Sequence, residues 1–311
     1  MIYSVSTANL IIDKETAQQN FPILKQAGFS AIDLNFDTIF DITGGNVRRK
    51  PFVKSSFYEL EQEDFFAHLE GIKSAAEKNN IKIGQCHAPF PTYCFDADDQ
   101  TNEYIKNVIK KSIAAASYLN CPYIVIHPIN YPYGSVITKK EVFNRNIDFY
   151  EQFIDDLKKY NVVCCLENMW KQYNNKIMQS TCNDYTEVNE YISELNNRAG
   201  GEYFAFCLDT GHAVLTSENI RFAVETLGKN LKAIHLHEVD GIKDNHTMPF
   251  TLGAVDWDYI MCALRDYGYE GTLNFEAANS WLMFPKELWP QAVKMLGAIG
   301  RYFCDKYFQE C

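Results

Sequence analysis

Eight short apolar runs rich in Val, Ile and Tyr recur along the chain, and longer amphipathic segments separate most of them. The runs predict strands at 2–6, 31–36, 81–87, 123–128, 162–168, 203–209, 231–237 and 272–277. The segments with apolar residues at three- and four-residue spacing predict helices at 64–80, 102–120, 143–160, 184–197, 219–230, 257–268 and 287–308. This alternation restricts the chain to a parallel sheet that is covered by helices.

Eight such units match a closed (β/α)8 barrel better than an open doubly wound sheet. The open sheet is the alternative, but no Gly-x-Gly-x-x-Gly turn follows any predicted strand to mark a dinucleotide crevice. The 311 residues, of which 47% are hydrophobic, suffice for the core of one barrel. We therefore predict an α/β fold, a single-domain TIM barrel over residues 1–311.

Composition narrows the classes of partner. The formal net charge of -11 disfavours a basic nucleic-acid face. The first residues lack the pattern of a signal peptide, and no run of 18 apolar residues occurs, so we expect a cytoplasmic protein without a membrane partner. The ten cysteines show no Cys-x-x-Cys spacing, which predicts buried free thiols in a reducing compartment.

The histidines gather at one end of the predicted barrel. Six of the seven lie at or just past the end of a predicted strand: His87, His127, His212, His235, His237 and His246. The carboxyl ends of barrel strands meet at one mouth, where barrel enzymes carry their active sites. We therefore expect these imidazoles to lie together, although His87, His127 and His246 could each alone be a hydrogen-bonded core histidine.

Three acidic residues repeat this pattern, because Glu167, Asp209 and Glu276 each follow an apolar strand directly. A buried carboxylate needs an ion pair, a hydrogen-bond network or a metal. Together with His237 these acids form an oxygen-rich set that suits Mn, Co, Mg or Zn. His235 is two residues from His237 and so shares its face of the strand; we favour His237 as the ligand, with His235 as the substitute.

Aromatic residues also follow the strand ends. Trp170, Trp281, Phe90 and Tyr93 are candidates for stacking on a sugar ring, with packing within the loops as the alternative. Asp256 precedes a predicted helix, which indicates an N-cap rather than a catalytic acid.

Four motifs now carry a resemblance that covers nearly the whole chain: LEN at 166–168, DTGH at 209–212, HLHEVDG at 235–241 with DNH at 244–246, and FEA at 275–277. In their order and placement they resemble the xylose isomerase-like barrel superfamily. That superfamily holds sugar isomerases and ketose 3-epimerases, and also the endonuclease IV family.

The epimerase branch implies one divalent metal, held by the residues that match Glu167, Asp209, His237 and Glu276. It implies that His212 contacts the substrate, and we add His87 and His127 as candidate substrate contacts. Glu167 and Glu276 would serve as acid and base, moving a carbon-bound proton through an enediolate. The expected substrate is a small sugar, sugar phosphate or polyol.

The endonuclease IV branch implies three zinc ions and a larger ligand set. The candidates here are His87, His127, Glu167, Asp209, His212, a histidine of the seventh strand (His235 or His237), Asp244, His246 and Glu276. That branch would hydrolyse a phosphoester, in abasic DNA or in a small molecule.

The loops separate the two branches. The segments that follow His127 and Glu167 are not markedly basic, so we expect the isomerase branch and no nucleic-acid partner. The segment 240–257 follows the isomerase form except that Leu252, Gly253 and Ala254 replace its usual Gly-x-Gly. A barrel that binds without turnover is a further alternative, which the complete acidic set disfavours, and a homo-oligomer is expected only from the frequency of paired barrels.

Overall fold

The structure is a computed structural model and describes residues 1–39 and 54–308. Its strands are β1 (Tyr3–Ser6), β2 (Ala31–Asn35), β3 (Lys82–His87), β4 (Tyr123–Val125), β5 (Val163–Glu167), β6 (Trp170–Tyr173), β7 (Lys176–Gln179), β8 (Phe204–Asp209), β9 (Leu231–His235) and β10 (Leu273–Phe275). Each of the eight predicted strands is present, within a few residues of its predicted ends. β6 and β7 form a separate antiparallel hairpin that the sequence analysis did not predict.

The other eight strands form one parallel sheet in the order β10-β1-β2-β3-β4-β5-β8-β9. A parallel bridge between Leu236 and Phe275 joins the two outer strands. Leu236 N donates to Asn274 O at 2.8 Å and Glu276 N donates to Leu236 O at 3.0 Å, which closes the ring. The predicted (β/α)8 barrel is therefore confirmed, and the open doubly wound sheet is excluded.

The helices are α1 (Lys14–Gln26), α2 (Phe36–Ile39), α3 (Gln62–Lys78), α4 (Asp99–Tyr118), α5 (Lys139–Glu151), α6 (Ile154–Tyr160), α7 (Tyr185–Ala199), α8 (Thr210–Leu215), α9 (Ile220–Leu227), α10 (Trp257–Tyr267), α11 (Asn279–Leu282) and α12 (Trp289–Tyr307). The predicted helix at 143–160 is divided into α5 and α6. Asp256 caps α10 by accepting from Tyr259 N, as its place in the sequence predicted.

Helix α1 was not predicted. Its sequence is polar and contains Pro22, which weakens the helical pattern, but a capping box between Asp13 and Thr16 starts the helix. It buries Phe21 and Leu24 against the barrel. Within 1–39 and 54–308, no helix has both the length and the apolar character that crossing a membrane requires.

The inside of the barrel has two unlike halves. In the first, which we call the apolar half, β4, β5, β8 and β9 contribute a cluster of small buried residues: Val125, Cys165, Ala205, Cys207 and Ala233. In the second, the polar half, β10, β1, β2 and β3 contribute buried polar residues: Asn274, Ser4, Ser6, Asp33 and Gln85. Side chains alternate along a strand, so the residues two positions further on project into the mouth from both halves.

Candidate metal centre

Four side chains meet above the middle of the barrel and form what we call the central group: Glu167, Asp209, His235 and Glu276. His235 Nδ1 lies 3.3 Å from Glu167 Oε1 and 3.1 Å from Glu276 Oε2, with Asp209 Oδ2 at 3.8 Å. The predicted acids are thus together, but the imidazole among them is that of His235. His237, the favoured candidate, lies in a different group, and the substitute takes the central place.

A second group joins His87 and His127 to Glu167, and we call it the paired-histidine group. The two Nε2 atoms are 3.1 Å apart. Glu167 Oε2 lies 3.1 Å from His127 Nε2 and 3.6 Å from His87 Nε2. Glu167 therefore presents one oxygen to this group and the other to the central group.

The third group, here the loop group, contains His212, His237, Asp244 and His246. Asp244 Oδ2 lies 3.1 Å from His212 Nε2 and 3.0 Å from His246 Nε2. His237 Nε2 lies 3.0 Å from Asp209 Oδ1, so Asp209 connects this group with the central one. The structure thus brings every predicted ligand into one continuous cluster.

Backbone carbonyls orient the imidazoles of the two outer groups. Nδ1 lies 2.8 Å from Ala88 O in His87, 2.8 Å from Asn168 O in His212 and 3.1 Å from Glu276 O in His246. A carbonyl only accepts, so each Nδ1 carries the proton, and in the neutral ring Nε2 keeps its lone pair. Nε2 faces Asp244 in His212 and His246 and faces His127 Nε2 in His87; imidazoles that are held in this way through Nδ1 are found around protein-bound metals.

Ionisation follows from this crowding. Burial raises the pKa of the Glu167 carboxyl, but attraction by His127 and His235 outweighs it and holds that pKa well below its ordinary value. Burial likewise raises the pKa of Asp244, but attraction by His246 and His212 outweighs this effect and holds that pKa well below its ordinary value. The carboxylates are therefore anionic near neutrality.

The imidazoles respond in the opposite sense. Burial lowers the pKa of His246, but Asp244 and Glu276 raise it to about 10. Burial also lowers the pKa of His212, and Asp209 and Asp244 raise it well above its ordinary value. Bound protons therefore balance the acids, and a divalent cation would displace them.

The DTGH motif supports the site locally. Asp209 Oδ1 accepts from His212 N at 2.7 Å, so the carboxylate caps α8 while its other contacts face the cluster. A Cβ at Gly211 would lie 2.0 Å from His237 Cε1, so no larger residue fits there unless the ring moves. The Asn168 side chain exchanges two hydrogen bonds with the Asp209 backbone, at 2.8 and 2.9 Å.

A buried carboxylate outside the cluster holds the loop that carries Asp244 and His246. The fully buried Glu238 accepts from Phe250 N, Val255 N and Trp257 Nε1 at 2.9, 3.0 and 2.8 Å. The sequence analysis did not single out Glu238. These three hydrogen bonds tie the loop between β9 and α10 to the Glu238 side chain, which the loop encloses.

The predicted aromatic residues have different surroundings. Trp170, in the hairpin, donates from Nε1 to Asp244 Oδ2 at 3.1 Å. Phe90 stacks on His127 with ring centres 5.5 Å apart and stays 40% exposed. Tyr93 is exposed and contacts Phe95 edge to face. Trp281 is instead fully buried in the hydrophobic core, where it has no face free for a sugar ring.

Comparison with protein families agrees with this geometry. The profile of the family described as "Xylose isomerase-like TIM barrel" matches residues 21–299. The chain belongs to this family. Its resemblance to the xylose isomerase-like barrels, first seen in the LEN, DTGH, DNH and FEA motifs, is therefore confirmed.

Individual proteins resemble the chain more distantly. The uncharacterized protein y4fM of Sinorhizobium fredii is 28% identical over 171 residues, which are 54% of this chain and 51% of that protein. The chain thus matches about half the length of this curated relative. A D-tagatose 3-epimerase-like protein is 16% identical, with a TM-score of 0.70 over 98% of this chain and 97% of the other. IolI, solved with a bound zinc atom, is 18% identical, with a TM-score of 0.65 over 100% of both chains. At these identities the structural likeness establishes the fold alone.

Proposed function

We propose that the protein is a divalent-metal enzyme that isomerises or epimerises a small sugar, sugar phosphate or polyol. The central group carries the proposal, because one imidazole nitrogen and three carboxylates converge there in a buried mouth. Two of the similar structures are a D-tagatose 3-epimerase-like protein and IolI with a bound zinc atom, which supports the same class.

Unpartnered atoms test whether a cation fits. Glu167 Oε2, Asp244 Oδ1 and His235 Nε2 are buried, and none makes a hydrogen bond of good geometry within the described residues, although Glu167 Oε2 has an ion-pair contact with His127 Nε2 at 3.1 Å. A buried polar atom without a partner is unfavourable, and cation binding would satisfy the two carboxylate oxygens. The donor set of carboxylates with imidazoles suits Mn, Co, Mg or Zn.

Glu167 and Glu276 are the proposed acid and base. Both lie beside His235 Nδ1, and both carboxyls have a lowered pKa, so each is ionised and able to accept a proton. A divalent cation held by the central group would polarise the substrate carbonyl and its neighbouring hydroxyl. One glutamate would then take the carbon-bound proton to give an enediolate, and in an isomerisation the same carboxylic acid would return that proton to the neighbouring carbon. In an epimerisation the opposite glutamate would first gain a proton from solvent and deliver it to the other face, and the first glutamate would release its proton to solvent. Substrate oxygens would be oriented by His212 and, in addition, by His87, His127 and Trp170.

Phosphoester hydrolysis is the second candidate, and the two outer groups favour it. Glu167 touches two groups, and the loop group adds Asp244 and His246, so the cluster offers places for three cations. Such a set would activate water and hold a phosphoester. The net charge of -11 favours a small phosphoester over DNA as the substrate of this reaction.

Metal content and turnover distinguish the candidates. We would count divalent metals per chain in the unchelated protein, then strip it, reload it with Mn, Co, Mg or Zn, and assay ketohexoses, a phosphodiester and an abasic oligonucleotide. One metal with ketohexose turnover supports the isomerase proposal. Two or three zinc ions with phosphoester hydrolysis would replace it, and a protein that binds no divalent metal would overturn both. The same preparation in light scattering tests the expected homo-oligomer.

A further inference from the structure

The buried carboxylate of Asp33 lies below the central group, in the polar half of the barrel. Asp33 is 0% exposed, and its Oδ2 accepts from Gln85 Nε2 and from Asn274 Nδ2, both at 3.0 Å. Ser4 Oγ in turn donates to Asn274 Oδ1 at 2.8 Å. Two amide donors alone leave this charge undercompensated, because its Oδ1 has no hydrogen-bond partner among the described residues.

His235 lies directly above it. Its Nε2 is 3.5 Å from Asp33 Oδ2, slightly long for a hydrogen bond, and the Cys207 thiol is the other polar group that interacts with the ring from within the barrel. Its Nδ1 faces Glu167 and Glu276 at 3.3 and 3.1 Å. The ring therefore joins a carboxylate below with carboxylates above.

We propose that Asp33 is a positioning residue, which holds the proton of His235 on Nε2 and thereby turns the Nδ1 lone pair toward the central group. This inference rests on the proposed metal function. It sets His235 apart from His87, His212 and His246, whose Nδ1 protons go to neutral backbone carbonyls. A charged acceptor makes the opposite nitrogen a stronger donor to a cation.

An alternative role for Asp33 is structural, since it ties β2 to β3 and β10 through Gln85 and Asn274. Both roles predict a less stable Asp33→Asn variant. Only the positioning role predicts weaker metal binding per folded molecule, because the amide keeps the shape of the side chain but removes the charge that fixes the ring. Affinity for metal, rather than melting temperature, therefore separates them.

The first experiment measures zinc affinity of the stripped protein by competition with a chelating dye. Wild type, Asp33→Asn and a control, Glu218→Gln, are compared. Glu218 is a part-buried carboxylate with hydrogen bonds from Asn183, Tyr185 and Thr216, and it belongs to none of the three ligand groups. We expect about 10- to 100-fold weaker zinc binding in Asp33→Asn and no change in Glu218→Gln.

The outcomes are separable. If wild type binds zinc and Asp33→Asn binds it equally well, the inference is wrong and the proposed function stands. If wild type binds neither zinc nor any other divalent metal offered, the proposed function fails, and the inference fails with it.

A second measurement needs no variant and so does not depend on the folding of Asp33→Asn. Two-bond proton–nitrogen spectra of the zinc-loaded wild type report which nitrogen of each histidine is protonated. We expect one zinc-bound histidine with its proton on Nε2, slow to exchange because His235 is fully buried. Protons on Nδ1 in every zinc-bound histidine would overturn the inference.

Discussion

The two halves of the barrel interior support the site in different ways. Beneath Glu167 and Asp209 the apolar half offers small buried side chains such as Cys165 and Cys207. The acids there are held from the loops, as when Asn168 binds the Asp209 backbone. Beneath Glu276 the polar half instead contains a hydrogen bond from the Asn274 side chain to the Asp33 carboxylate. A barrel can therefore fix one cluster both from its rim and from its core.

The largest effect is expected from substituting the two glutamates, which lie at strand ends in opposite halves of the barrel. Glu167→Gln and Glu276→Gln should each lower turnover of the proposed small-sugar substrate by about 10²- to 10⁴-fold, because each removes a proposed proton-transfer group. Steady-state kinetics on metal-loaded protein, with metal content measured for each variant, checks this. Glu218→Gln is the control. Full turnover in either variant would contradict the acid/base assignment.

The next effect is the pH response of two imidazoles in the metal-free protein. Against the effect of burial, the acids Asp244 and Glu276 raise the pKa of His246 to about 10, whereas burial lowers the pKa of His127, which Glu167 only partly offsets. We therefore expect a nitrogen NMR titration to find His246 charged and His127 neutral at pH 7.

These two pKa shifts make the stability of the fold depend on pH in opposite ways. The unfolded chain protonates histidine near 6.5. His246 then stabilises the fold fully below pH 6.5, and this contribution is lost as pH rises toward 10. His127 disfavours the fold as pH falls below 6.5, because the unfolded chain binds the proton more readily. Both rings titrating near 6.5 would contradict the expected difference between them.

A substitution in the apolar half should have a smaller effect. Cys165→Ser puts a hydroxyl into a fully buried cluster of small apolar residues. If this hydroxyl finds no hydrogen-bond partner, the substitution should lower the free energy of unfolding by about 1–3 kcal/mol, measured by urea denaturation. Cys165→Ala is the control for lost volume. Equal stability of Ser and wild type would show that the apolar half accommodates polar groups.

The smallest effect is expected in the polar half. Ser4→Ala removes the donor to Asn274 Oδ1 and should lower the free energy of unfolding by about 0.5–1.5 kcal/mol. Ser6→Ala is matched to it, because Ser6 is equally buried and its Oγ has no hydrogen-bond partner in the described residues. Equal losses in the two variants would mean that the network contributes nothing beyond side-chain packing.

Sequence patterns predicted the barrel well because strand periodicity and helix spacing are local signals. They missed α1, where Pro22 and polar residues conceal the apolar face, and the β6–β7 hairpin. The hairpin had a signal, Asn174-Asn175, and both residues adopt the positive φ that a tight turn needs.

The site was predicted by residue type and place, but not its internal order. His235 and His237 share one face of their strand, so periodicity cannot rank their depth. The structure ranks them, because β9 ends at His235 and the chain then bridges to β10 at Leu236. Asp33 was missed, although a carboxylate at an inward position of an apolar strand is a signal of the same kind as Glu167.

The cap that Asp209 forms on α8 has a consequence for how such a chain evolves. One carboxylate starts a helix and faces the cluster, and two residues later Gly211 gives the His237 ring its space. A mutation at either position damages architecture and chemistry in the same step. A lineage that explores new substrates is therefore expected to vary its loops, such as the β6–β7 hairpin, and to inherit DTGH as one block.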